Sequence, residues 1–175
     1  INMSLGTSAE FTNDCDNATS WTMALSSVIN SLKNNGVLSM VSSMNTSNSN
    51  GMAAPACISA AIAVGATGDN NDNIASFSNS SPSLDILAPG VSITSTQLNG
   101  GSITFNGTSM ASPHVVAVAA LMYELYPAAS AVEVENCLYA SSTQITDARN
   151  NITRPRVNAI EAIACLDTIF KNGFE

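Results

Sequence analysis

Basic residues are scarce in this sequence: five Lys and Arg together stand against 13 Asp and Glu in 175 residues, a formal net charge of −8. A chain of that sign repels phosphate backbones and anionic lipid, so neither nucleic acid nor a membrane is expected as a partner. Histidine occurs once, at His114, which argues against an imidazole-rich metal site. The four cysteines, Cys15, Cys57, Cys137 and Cys165, fit none of the close paired spacings that hold zinc. Long apolar runs are missing too, and none reaches the roughly 18 to 20 residues of a membrane span. No basic segment of the kind that opens a signal peptide follows Ile1, and the chain starts without Met. A processed or truncated chain is therefore the expectation.

What is present is apolar and neutral-polar. Hydrophobic residues make up 45% of the chain and charged residues 10%. That supplies a sizeable core for one domain, or for a large part of one. Surface polarity must then come mainly from Ser, Thr and Asn, which suits a secreted protein.

The chain is organised around Asn106-Gly107-Thr108-Ser109-Met110-Ala111-Ser112-Pro113-His114. Gly107 and Thr108 suit a tight turn, and the residues from Met110 onward read as a buried helix, with apolar side chains at Val115, Val118, Ala119, Leu121 and Met122. A serine at such a turn is held rigidly, and its own N–H is one of the unpaired donors of the first helical turn. A donor of that kind, reinforced by the helix dipole, suits a developing oxyanion. For an isolated serine, simple helix capping would explain as much.

The string Gly-Thr-Ser-Met-Ala-Ser-Pro-His-Val resembles the nucleophile motif of the subtilisin-like serine proteases (subtilases), and the resemblance runs from residue 1 to about residue 165. It implies an α/β fold of three layers, a mainly parallel sheet flanked by helices. It also implies that Ser109 attacks a peptide carbonyl and that residues 1–170 form the C-terminal portion of a catalytic domain, incomplete at its N-terminal side. Residues 171–175 would be a polar tail. The family's Asp and His motifs lie upstream of the segment that Ile1 to Gly6 resembles, so the triad base and its orienting acid are expected from a missing N-terminal half. The chain alone would then be inactive.

Further positions carry the resemblance. Ser4-Leu5-Gly6 resembles the segment that pairs backbone-to-backbone with substrate, a recognition mode in which main-chain hydrogen bonds give affinity and side-chain pockets give specificity. Ser42-Ser43-Met44-Asn45 matches the segment that lines the primary pocket and ends in an oxyanion-binding asparagine. An amide donates there without a proton that catalysis could remove. The family usually has Gly where Met44 stands, so Met44 either points away from the pocket or intrudes on it. With no charge among Ser42, Ser43, Met44, Thr46 and Ala53, an apolar residue on the acyl side of the cleaved bond is expected rather than Lys or Arg.

Of the three ways to pair four cysteines, Cys15–Cys57 and Cys137–Cys165 are favoured because each ties elements expected to be neighbours, as in related subtilases. Disulfides point to an oxidising compartment. Asp69-Asn70-Asn71-Asp72-Asn73 holds oxygen ligands of the sort calcium prefers, but the spacing is not that of an EF-hand and a polar turn is the better reading. No cofactor is expected to be required for catalysis, and structural calcium has no clear motif. Asp85 matches a family position that is structural or weakly calcium-linked rather than a triad acid.

The remaining elements read from pattern. Ile1 to Leu5 is a buried strand and residues 7–19 a polar loop. Trp21, Leu25, Val28, Ile29 and Leu32 form the apolar stripe of a crossover helix that stops at Gly36. Val37 to Val41 and Ala60 to Ala66 are strands, and Val91 to Thr96 with Ser102 to Phe105 a hairpin. Ala131 to Tyr139 and Val157 to Phe170 are helices. His114 cannot serve Ser109 as base: five residues along a helix place their side chains about 140° apart around its axis. Asn17, Asn45, Asn79, Asn106 and Asn151 begin glycosylation sequons. Two of these fall on the proposed site, which implies a source that leaves them unmodified. The alternative to an endopeptidase is a catalytically inactive, pseudoprotease-like chain that binds peptides or partners. A structural or adhesion domain would fit the composition but leaves the motifs unexplained.

Overall fold

The protein is described here from a computed structural model covering residues 1–68, 73–141 and 143–172. Residues 69–72 of the calcium-tempting run, and 173–175 of the expected tail, lie outside the described residues. In chain order the elements are β1 (Asn2–Met3), β2 (Glu10–Phe11), α1 (Ser20–Asn34), β3 (Met40–Ser42), β4 (Met52–Ala53), β5 (Ile62–Thr67), β6 (Ile86–Pro89), β7 (Ile93–Thr96), β8 (Ser102–Phe105), α2 (Thr108–Leu125), α3 (Ala131–Tyr139), β9 (Gln144–Thr146), β10 (Thr153–Pro155) and α4 (Ala159–Asn172).

Four strands form a parallel sheet in the order β1-β3-β5-β6, with Asn2 opposite Met40, Met40 opposite Ile62 and Val64 opposite Ile86. The β5 strand is buried along its whole length, as a strand covered on both faces must be. Alternate residues divide the core. Met40, Ile62, Val64, Ala66, Ile86 and Ala88 face α2, α3 and α4. Val41, Ala63 and Leu87 face the opposite layer, where Ile29 of α1 packs with Cys15, Met52 and Cys57. The result is the expected three-layer α/β arrangement.

Each of the two layers flanking the sheet holds one disulfide. Cys15–Cys57 lies in the α1 layer and Cys137–Cys165 joins α3 to α4, with Cα separations of 5.3 and 5.5 Å. Both pairings match the sequence expectation.

Three expectations are corrected. The segment Ile1 to Leu5 is not a buried strand: β1 is two residues long, and Ile1 and Leu5 are 51% and 59% exposed, because among the described residues β1 has a sheet neighbour on one side only. The loop at residues 7–19 contains β2, which pairs antiparallel with β4. The α1 stripe is rotated from the one expected. Thr22, Ser26 and Ile29 are buried, whereas Trp21 and Val28 are exposed. Thr22 closes a capping box with Thr19, and the Ser26 hydroxyl donates to Asp16, so these small polar side chains enter the interior already hydrogen-bonded.

Candidate active site

The site forms where the parallel strands end. Past β6, Gly90 receives the turn that leads into α2: the Gly107 N–H donates to its carbonyl at 2.8 Å. A Cβ on Gly90 would meet Ala66 Cβ at 2.6 Å and the Gly107 oxygen at 2.8 Å, so only glycine lets this turn close on the sheet. The helix begins at Thr108, one residue before Ser109, with no side-chain cap on Gly107. Ser109 is therefore not a capping serine. Among the described residues, neither its hydroxyl nor its amide N–H has a protein partner.

Asn45, which follows β3, is fixed by its oxygen. Oδ1 accepts from the Thr108 N–H at 2.9 Å and from the Thr108 hydroxyl at 3.0 Å. A backbone N–H can only donate, so the amide nitrogen must face the other way. A Cβ built on Gly107 would lie 3.5 Å from Asn45 Nδ2 and 3.7 Å from the Ser109 nitrogen. Two unspent donors thus border one small space, together with Met110 Sδ at 3.5 Å, and such paired donors suit an oxyanion.

The neighbouring β1 is tied to the same helix turn. Pro113 has no N–H, so the Ser109 carbonyl lacks the donor that residue i+4 would normally supply. The Ser4 hydroxyl supplies one instead, at 2.9 Å. One turn further on, the Ser112 hydroxyl donates to Asn2 Oδ1 at 2.7 Å. Ser4, Leu5 and Gly6 are exposed, and Ser4 adjoins Ser109. His114, by contrast, directs Nδ1 to the Met110 carbonyl at 2.8 Å. That contact ties the ring nitrogen to its own helix.

With this geometry, a family model described as the subtilase family matches residues 1–159. The chain belongs to the subtilases. It is 42% identical over 144 residues to alkaline elastase YaB of Bacillus sp. (strain YaB), covering 82% of this chain and 35% of that protein. Against subtilisin DY of Bacillus licheniformis it is 38% identical over 150 residues, covering 84% of this chain and 50% of the relative. This subtilase chain therefore spans about half the length of these relatives, or less. Among solved structures, the prenylagaramide maturation protease PagA superposes with a TM-score of 0.80 at 30% identity, over 94% of this chain and 60% of that one.

The remaining expected site residues of the subtilase chain lie at the end of β3. Ser42 and Ser43 are buried, and the Ser43 hydroxyl donates to the Asn79 carbonyl at 3.0 Å, so they back the cleft rather than open into it. Met44 is half-buried with φ of +82°, and its carbonyl accepts from the Asn79 N–H at 3.0 Å. Its thioether lies over Gly6, where a Cβ would come within 2.5 Å of Met44 Sδ.

One group escaped sequence reasoning. Fully buried Asn79 accepts at Oδ1 from the Thr46 N–H at 2.8 Å and donates from Nδ2 to Glu10 at 2.9 Å. Glu10 also receives Thr46 and Asn48, which brackets the turn after Asn45. Partial burial opposes charge on Glu10, but the donors from Asn48, Thr46 and Asn79 outweigh it and hold its carboxyl below the ordinary range. A single Glu in a polar loop gives no signal of such a role. On the other side of Ser109, an open cleft of about 400 Å³ runs between β7 and α2, lined by Ile93, Ser95, Met110, Pro113 and His114. Among the described residues, no three His, Cys, Asp or Glu side chains cluster to hold a metal, and no helix is long and apolar enough to cross a membrane.

Proposed function

We propose that this chain is the nucleophile-bearing portion of a secreted serine endopeptidase. The observation that carries the reading is that the Ser109 amide and the Asn45 side-chain amide, both unspent, border one space at the turn that carries Ser109. A peptide laid along Ser4, Leu5 and Gly6 would place a carbonyl oxygen between those donors, with Met44 forming the second wall of its side-chain pocket and the buried Ser42 and Ser43 standing behind it. Ser109 Oγ then adds to the carbonyl carbon and gives up its proton to a base. That proton passes to the departing amine, and water releases the acyl group by the reverse sequence. The chemistry needs no cofactor. It does need a base and a carboxylate to orient it, and with His114 Nδ1 engaged by its own helix both are assigned to polypeptide outside this chain. The open cleft beside Ser109 is where such a base would have to reach. The two disulfides support an extracellular site of action.

The intrusion of Met44 toward Gly6 favours a second reading, a pseudoprotease-like chain that binds peptides without cutting them. A fluorophosphonate probe separates the two, applied to this chain and to the longest product encoded upstream of Ile1, with the adduct mapped by mass spectrometry. Labelling of Ser109 in the longer product, and its loss in Ser109→Ala, is the expected outcome. A folded longer product that takes no label would overturn the enzyme reading and favour the binding one.

A further inference from the structure

The segments that end β1 and β3 run side by side, and the space between them is occupied by one side chain of this protein. The Met44 sulfur, Cγ and Cε would stand 2.5, 3.0 and 3.4 Å from a Cβ on Gly6, so the thioether lies directly over the Gly6 backbone. The backbone that carries it is held in place, which fixes where the side chain starts. A φ of +82° is a conformation that side chains other than glycine rarely adopt, and here it is fixed from both sides. The Met44 carbonyl is held by the Asn79 N–H, and the next residue, Asn45, is anchored by two bonds from Thr108.

A peptide whose carbonyl oxygen sits between Asn45 and Ser109 has α2 on one side of the reacting residue. With the peptide laid along Ser4, Leu5 and Gly6 as proposed, its side chain is directed to the gap between Gly6 and Met44. We propose that Met44 closes this gap and restricts the residue on the acyl side of the cleaved bond to glycine or alanine. The inference rests on the reading of Ser109 as nucleophile, and narrows the expectation of an apolar residue to one with at most a methyl side chain. The thioether excludes anything larger by volume and leaves a charged side chain no polar partner.

The test uses the complete catalytic domain that contains this chain, the native form beside Met44→Gly and Met44→Ala. Glycine relieves the positive φ and alanine does not, so agreement between the two variants separates the vacated space from the backbone effect. A small fluorophosphonate first counts reactive Ser109. Matched peptide anilides differing only at the acyl residue (Gly, Ala, Leu or Phe) are then compared by kcat/KM. The native protein is expected to favour Ala over Leu by about a hundredfold, and both variants to lose or reverse that ratio. Native cleavage after Leu or Phe as readily as after Ala would overturn the proposal, as would an unchanged ratio in both variants. Labelling of the variants alone would also overturn it, since Met44 would then shut the site to every substrate. If none of the three proteins reacts, the nucleophile reading has failed, and binding of peptides ending in Ala or Leu decides the role of Met44. A gain of affinity for Leu-ended peptide in Met44→Gly supports the closed gap, and no gain overturns it.

Discussion

Asn45 owes its usefulness to being held by the wrong end for a turn residue. Thr108 occupies its oxygen twice, so the amide nitrogen is presented without having to find its orientation when charge develops. Asn45→Ala should lower kcat of the complete enzyme by about a hundred- to thousandfold, the scale known for losing this donor in a subtilisin, with KM changed far less. A loss of less than threefold, or one carried by KM, would remove Asn45 from the reaction. At this scale the sequence was readable where a fixed string marks the family, as around Ser109. It was unreadable where the answer is a direction. Nothing in Ser42-Ser43-Met44-Asn45 says which way the thioether points, because that depends on the Gly6 backbone 38 residues earlier in the chain. Glu10 was hidden for the same reason: its partners Thr46, Asn48 and Asn79 are assembled only by the fold.

The elements pose a different problem. Asp85 stands just before β6, and its carboxylate accepts from the Ala63 N–H of β5 at 2.7 Å. Burial pushes its pKa up to about 7, although the Ala63 N–H and nearby Arg154 both favour the charged form and only partly offset it. A carboxyl that binds its proton more tightly when folded than when unfolded stabilises the fold most below about pH 4, the unfolded value, and loses that contribution as pH rises toward 7. Asp85→Asn should therefore melt about 3 °C or more above the parent at pH 8, with the gap shrinking toward pH 4. A parent at least as stable as the variant at pH 8 would contradict this. Helix α1 shows where pattern reading fails among elements. The sequence locates it well, since Gly36 and the apolar spacing mark its course, but the hydrophobic stripe names the wrong face. Hydropathy counts Thr22 and Ser26 as surface residues, whereas a capped threonine and a serine bonded to Asp16 lose little by burial. Helix α3 had no such competition, and Ser130 and Glu133 mark its start openly in the sequence.

For the molecule as a whole, the sheet's β1 side is the exposed flank. Beside β1 lies an apolar groove of about 250 Å³ lined by Ile1, Val37, Leu38, Val116, Ala120 and Tyr123. An unpaired strand edge next to an apolar groove invites pairing with another chain. The 175-residue chain purified alone should thus self-associate as concentration rises, measured by sedimentation velocity. A single monomeric boundary across a hundredfold range of concentration would contradict the expectation.

The bond from Ser4 to the Ser109 carbonyl, with its companion from Ser112 to Asn2, bears on accuracy. Misplacing reacting atoms by about 1 Å can cost a hundredfold in rate. Here the β1 segment proposed to hold the peptide and the helix that carries Ser109 are laced together, so a jolt to one carries the other along. Alignment is preserved as a difference between two parts that drift in step, and the surrounding scaffold can flex without the tool losing its guide.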